Sequence, residues 1–484
     1  MQNGRKIGLS DLSYAEKALL RARIACDQED WGQVIALADE AIQHKPDCPE
    51  AFFLLGRAAT QSKLFGLATQ LYHIGTKLAP NVAPMWNNLG VTLQERDEEG
   101  AYKAFRKAYE LNPRMTSALS SLCAVCVSMG RYDEALSWAE LCLKEDPNAK
   151  DALYNSSLAL LALGRWREAW PKYNVCLGIK DRNTRNYHGE HPTPRWNPDA
   201  MPRATVVIYG EQGIGDEIMF ASMIPDAIKA AEEGGGRVVL ETDARLEGLY
   251  KRSFPGVTVY PTRGQNICEW VLHEKPTARL ECGGLGDFFG AEPRRGGAFL
   301  KADPAKRAMA RAWLDSVAPA ANKRRIGIAW TGGSWATGRR QRSLPLEALG
   351  PLLSAPDVEW FCLEYDDPRD DLETIERLHG ARIHDPRSFV ARKADYDDTA
   401  ALVSELDLVV APTTSVVDLC GALGVPVWAF APHAPPWRYS DVLGADKMFW
   451  YESATVFRQK DKGLWGAPIA KAAAQLRGLA LKAA

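Results

Sequence analysis

The chain has 484 residues, with 59 Lys and Arg against 61 Asp and Glu and a hydrophobic fraction of 46%; this is the composition of a soluble globular protein of two or three domains. A net charge of −2, with no Lys/Arg block, argues against a nucleic-acid partner. No apolar run reaches transmembrane length, the stretch MQNGRKIGLSDLSYAEKALL lacks the apolar centre of an export signal, and ten scattered cysteines suit a reducing compartment, so the expected location is cytoplasmic.

The first third is repetitive. Prolines stand at Pro46, Pro80, Pro113 and Pro147, spaced 34, 33 and 34 residues apart. Five places before each comes a small residue: Ala41, Gly75, Ala108 and Cys142. Twelve places before stand Val34, Ala68, Ala101 and Ala135. Leu55-Gly56 and Leu89-Gly90 fall at equivalent points, and an aromatic recurs at Trp31, Phe65, Tyr132 and Trp166. Small residues let paired helices approach, large ones fill the gap, and Pro ends the second helix. The pattern resembles the tetratricopeptide repeat, in four copies and a fraction from about 13 to 177, with an incomplete fifth at about 150–173. Residues 1–177 are therefore expected to form a helical solenoid whose groove binds a protein partner, in preference to a stalk. Cys123 and Cys126 have C-x-x-C spacing but sit at small-residue positions of a repeat, which predicts packing.

Residues 178–203 are rich in Pro, Asn and Arg and have no period, as in a linker or docking segment. His188 and His191 lie in it as a surface pair.

Strands and helices alternate from there on. In 204–320, strands are expected at 205–209, 237–241, 257–259 and 270–272, with a helix at 244–254. In 321–484, strands are expected at 325–330, 358–363, 381–384, 408–411 and 425–430, with helices at 346–353, 370–379, 399–406 and 416–423. A last helix, 467–484, is expected to pack back across the joint. Two such blocks imply two facing doubly wound domains with a ligand cleft between them.

Four stretches carry chemistry. In Thr205–Ala227 a β-branched run turns through Gly210, Gly213 and Gly215 into a helix, and Asp216 stands where open sheets bind ligands. It can cap the helix or take a proton from a substrate. Gly332, Gly333 and Ser334, followed by Arg339, Arg342 and Ser343, combine close backbone approach with arginine forks suited to phosphate. Glu364 ends a strand where a base or ribose is held. Thr413, Thr414 and Ser415 precede Asp418 at a helix start, which caps the helix or binds an anion.

GEQGIGDEIMFASMIPDAI, WTGG…RQRSLPLEAL and DLVVAPTTSVVDLCGALGVPVW, in that order, resemble the heptosyltransferase-like glycosyltransferases of the GT-B fold. With the repeats in front, the chain is similar to bacterial tetratricopeptide-repeat glycosyltransferases, including flagellin-modifying ones. The resemblance implies a repeat solenoid followed by two Rossmann-like domains, acceptor-side at 204–320 and donor-side at 321–484. It also implies metal-independent, inverting transfer from a nucleotide-sugar substrate, with no cofactor. Asp216 takes the base role, with Gly213 and Gly215 in the acceptor-side loop, and Thr414-Ser415 bind donor phosphate. The family's Asp before the Thr-Ser pair and His three residues after it are here Thr413 and Asp418. An Asp beside a diphosphate is repelled, which raises a nucleoside-monophosphate donor of the sialic-acid type as one option. Asp395-Tyr396-Asp397 has a D-x-D form, but capping explains acids at a helix start, and no metal is expected. Transfer to a lipid-linked or polysaccharide acceptor, and a scaffold with a degenerate transferase half, stand as alternatives to a protein acceptor.

Overall fold

In the computed structural model the described residues are 12–177, 184–187, 192–266, 268–292, 296–319, 323–333, 338–390, 395–442, 444 and 446–479. The chain divides into two compact units, Met1–Ala159 and Leu160–Ala484.

Among the described residues the first unit holds eight complete helices: α1 (Tyr14–Asp27), α2 (Trp31–His44), α3 (Pro49–Gln61), α4 (Phe65–Leu78), α5 (Ala83–Leu93), α6 (Glu98–Leu111), α7 (Thr116–Ser128) and α8 (Tyr132–Glu145). They pack in successive pairs joined by short turns, and the division between units falls inside α9 (Lys150–Ala162). The recurring small positions are the contact points: Val34, Ala41, Ala68, Ala101, Ala108, Ala135 and Cys142 have no exposed surface. At Gly56 an added Cβ would stand 2.6 Å from the Tyr72 ring, and at Gly90 one would stand 2.5 Å from Phe105. These glycines seat the large ring of the following helix, so the repeat period is a packing period. Cys123 and Cys126 are sealed in the same core, and burial pushes both thiols up to about 12, as a packing role requires. His188 and His191 lie outside the described residues.

The second unit holds two parallel sheets. The first follows α10 (Trp166–Tyr173) and contains β1 (Thr205–Tyr209), β2 (Arg237–Glu241), β3 (Thr258–Tyr260) and β4 (Ala278–Glu281) in the order β3-β2-β1-β4. Between them run α11 (Ile214–Ala221), α12 (Ile224–Glu233), α13 (Glu247–Ser253) and α14 (Val271–Glu274). After α15 (Leu285–Phe289), α16 (Pro304–Val317) leads to the second sheet. That sheet has the order β10-β9-β8-β5-β6-β7, from β5 (Arg324–Ile328), β6 (Val358–Cys362), β7 (Ile383–His384), β8 (Leu408–Pro412), β9 (Val427–Ala431) and β10 (Ala454–Arg458). Its helices are α17 (Arg339–Arg342), α18 (Gly350–Leu353), α19 (Arg369–His379), α20 (Tyr396–Val403), α21 (Ser415–Leu423) and α22 (Gly466–Gly478). Among the described residues no helix is long and apolar enough to cross a membrane.

Three features differ from the sequence expectation. Residues 270–272 are not a strand; α14 occupies the place because the Trp270 ring stacks on Tyr260 at 4.6 Å and donates to Thr262 Oγ1 at 3.0 Å. Its strand role falls to the less apolar Ala278–Glu281. Helix α22 packs on its own sheet: Ile469, Ala472, Ala473 and Leu476 join the core of Phe430, Phe457 and Leu352. The helix of the incomplete fifth repeat, α10, belongs to the second unit, where Trp170 is buried and donates to the Gly290 carbonyl at 2.7 Å. Of the two readings of 178–203, linker or docking segment, the described part takes the second and docks on the sheet. Trp196 N–H donates to the Arg279 carbonyl at 2.8 Å, Arg279 N–H to that of Pro194 at 2.9 Å, and Arg195 pairs with Glu281 at 2.6 Å.

Candidate functional site

The glycine turn after β1 carries three carboxylates, and they go to different places. Glu211 accepts backbone N–H bonds from Cys282 at 3.1 Å and Gly283 at 3.3 Å. Glu217, buried in α11, takes the Arg263 guanidinium at 2.8 Å and the Asp243 N–H at 3.2 Å. Both are spent tying the first half of the unit together. Asp216 reaches the other half: its Oδ1 accepts from Arg438 Nη1 at 2.7 Å, and the side chain keeps 26% of its exposure. Gly213 is the N-cap residue of α11, so Asp216 lies within the first turn and the capping reading does not describe it.

Helix α11 packs against α21, and Gly215 permits the close approach of their first turns. A Cβ on Gly215 would fall 2.7 Å from Asp418 Oδ2 and 3.2 Å from Ser415 Cα. Asp418 is fully buried at this contact, with Arg438 Nη2 at 3.5 Å and Oδ1 without a hydrogen-bond partner. Arg438 therefore lies between two carboxylates, one from each half. It is carried on the turn Trp437–Tyr439, which is anchored by the Trp437 ring against Trp170 and Trp450, both at 5.8 Å.

Burial raises the Asp418 carboxyl to about 7, opposed by the Arg438 cation and reinforced by Asp216. In the unfolded chain it titrates near 3.8. Between these values the folded state keeps a proton that the unfolded state releases, so this group's contribution falls as pH rises from about 4 to about 7. Asp418→Asn removes the titration. In urea unfolding, wild type minus variant is expected to be less favourable at pH 8 than at pH 5; a difference constant across that range contradicts the assignment.

The basic loop folds on itself. Gly332 N–H donates to Ser343 Oγ at 2.9 Å, and Ser343 Oγ donates to the Arg339 carbonyl at 2.7 Å. A Cβ on Gly332 would meet the Arg342 Cβ at 2.4 Å, and Gly333 has φ +81°. Arg342 is turned inward, its Nε donating to Thr413 Oγ1 at 3.1 Å, and burial lowers its pKa. The arginine loop and the hydroxyl-bearing start of α21 are thus in contact. Arg339 stays at the rim, 3.4 Å from Asp366. Ser334 lies outside the described residues.

A cavity of about 440 Å³ opens between the carboxyl ends of the second sheet and the first half. Of the residues expected from sequence, Gly333, Arg339, Glu364, Thr414 and Ser415 line it. Glu364 Oε1 is occupied by the N–H groups of Trp330 at 2.6 Å and Thr331 at 2.8 Å, and burial raises its carboxyl pKa. Ser415 Oγ shares a 2.6 Å hydrogen bond with Tyr396 OH. Gly213, Gly215, Asp216, Gly332, Arg342, Ser343 and Asp418 are not in the lining. Asp418 faces the helix contact and Arg438, so its repulsion of a diphosphate loses its geometric basis.

Sequence reasoning missed Arg438, which follows Pro435-Pro436-Trp437 with no local pattern, and Arg245, which lines the cavity from the first half. The signal for Arg245 was available: it stands two residues after Asp243 in the turn beyond β2. In the D-x-D stretch, Asp395 caps α20 by accepting from Asp397 N–H at 2.8 Å, Arg252 pairs with Asp397, and Lys306 lies 2.8 Å from Asp398. Among the described residues no group of three or more His, Cys, Asp or Glu is placed to hold a metal ion.

No family model matches the chain. It is 28% identical over 417 residues to Protein FlbA of Caulobacter vibrioides, covering 83% of this chain and 68% of that protein. Similar solved structures include YrrB, described as a TPR protein with an unusual peptide-binding site (20% identity, 33% of this chain, 84% of that one, TM-score 0.30). A MamA protein matches at 21% identity over 34% of this chain and 91% of that one, with a TM-score of 0.31. Pseudomonas aeruginosa pilF matches at 17% identity over 50% and 93%, with a TM-score of 0.34. On its own geometry, the chain joins tetratricopeptide-like helical repeats to an α/β unit of two parallel sheets.

Proposed function

We propose that the chain is an inverting glycosyltransferase that moves a sugar from a nucleotide-sugar to a Ser or Thr hydroxyl of a protein recruited by the repeats, flagellin being one such acceptor. The observation that carries this reading is the fate of the three carboxylates in the glycine turn. Asp216 alone among them is directed to the junction of the two halves, beside a cavity that contains an arginine and a hydroxyl-bearing helix start. The volume falls within the range of small-molecule sites.

In the reaction Asp216 removes the acceptor hydroxyl proton as that oxygen bonds to the anomeric carbon on the face opposite the phosphate. The anomeric C–O bond breaks, and its electron pair leaves on a phosphate oxygen. Arg339 and the N–H groups at the start of α21 stabilise that charge as preorganised donors. Arg438 holds one Asp216 oxygen, which leaves Oδ2 to carry the proton. The resemblance to metal-independent enzymes supports a reaction without a metal.

Incubation with UDP-, GDP- and CMP-sugars in the absence of acceptor tests the reading. Slow, saturable release of one nucleotide is the expected result. Absence of both release and binding across the panel overturns it and leaves protein docking by the repeats.

A further inference from the structure

Arg245 has no role in the reading above, yet its position requires one. It lies in the turn Ala244–Leu246 beyond β2, on the first sheet. Its guanidinium is a fork held by a carboxylate of its own turn: Nε and Nη2 each donate to Asp243 at 2.9 Å. Asp243 also accepts the Arg245 backbone N–H at 3.1 Å, so the turn is closed from both sides. The side chain keeps 25% of its exposure and lines the cavity with Arg339 and Thr414-Ser415, all from the second half. Tyr365 and Tyr396 are in its electrostatic neighbourhood, and both line the same cavity. Arg339 is likewise beside a carboxylate, Asp366 at 3.4 Å. The cavity thus has a cation from each half, each set by a local acid, with the start of α21 lining the same space.

Resting on the nucleotide-sugar reading, we infer that Arg245 grips the nucleotide phosphate from the acceptor-side half, opposite Arg339 and the start of α21, so that a bound nucleotide bridges the two halves. Arginine suits this because it has two donor edges: Asp243 takes the Nε–Nη2 edge and pre-orders the side chain, and the Nη1–Nη2 end still offers N–H groups to phosphate oxygens. Apolar wall residues such as Leu363, Val390 and Leu402 supply the surface against which the base packs. Placing a donor contact on the acceptor side couples donor occupancy to the geometry around Asp216, which is on the same half.

The test is binding, measured calorimetrically with UDP, GDP, CMP and inorganic pyrophosphate on the full chain and on Arg245→Met and Arg245→Gln. Losing one charge-assisted contact is expected to weaken the best nucleotide by about ten- to a hundred-fold. Arg245→Lys is expected to recover part of the loss, because it keeps the charge without the fork. Unfolding midpoints without ligand check that the variants fold, and the two replacements differ in polarity so that a packing fault in one does not affect both. A nucleotide that binds wild type and both neutral variants equally overturns the inference but leaves the transferase reading standing. No binding of any of the four to wild type overturns both. Whether diphosphate or monophosphate binds better identifies the donor class.

Discussion

Asp216→Asn is expected to yield a folded protein that binds nucleotide-sugar and transfers almost nothing, with the rate lowered by ~10²–10⁴-fold. The amide keeps the shape of the side chain and an oxygen to accept from Arg438 Nη1, a bond of 2.7 Å in the native protein. The change removes the capacity to take a proton. Asp216 is outside the cavity lining, so donor affinity is expected to hold while kcat falls. An unchanged kcat rules out the base role. A parallel loss of donor affinity places Asp216 in substrate binding instead.

The second large effect belongs to Arg438. In Arg438→Met, Asp418 keeps its burial and loses the guanidinium that faces it at 3.5 Å. Removing one partner of a buried pair costs about 3–5 kcal/mol, because the remaining charge loses its nearest counter-ion and has no water in exchange. Adding Asp418→Asn removes that charge, so the double variant is expected to regain most of the stability. The cost of the single variant is also expected to shrink below pH 7, since the native Asp418 carboxyl already titrates at about 7. Urea unfolding of the four proteins at pH 6 and pH 8 completes the cycle. A double variant as unstable as Arg438→Met shows that Arg438 stabilises the unit through packing and not through Asp418.

The repeat was readable because its signal is local and recurs in register. Every small position that recurred before Pro46, Pro80, Pro113 and Pro147 is buried. The strand-turn-helix at Thr205–Ala221 was readable for a similar reason, since a β-branched run, glycines and an apolar helical stripe are neighbours in sequence. Short apolar runs were less informative. Trp270-Val271-Leu272 has strand composition, but a stacked indole determines the local path. The last helix gave no sign of which sheet it covers, because an amphipathic face does not name its partner.

Local pattern, then, was enough for the kinds of element, their order and the candidate residues of the glycine turn, the arginine loop and the hydroxyl-bearing helix start. It put Asp216 at the ligand end of the sheet but could not say what that acid, or its neighbours Glu211 and Glu217, would meet. The fold ranks them, because two meet N–H groups and an arginine of their own half while the third meets Arg438, 222 residues away. The fold also took Asp418 out of the cavity lining and brought Arg245 into it. A charge is governed by what surrounds it in space, and burial and pairing across such separations have no trace in the spacing of residues along a chain.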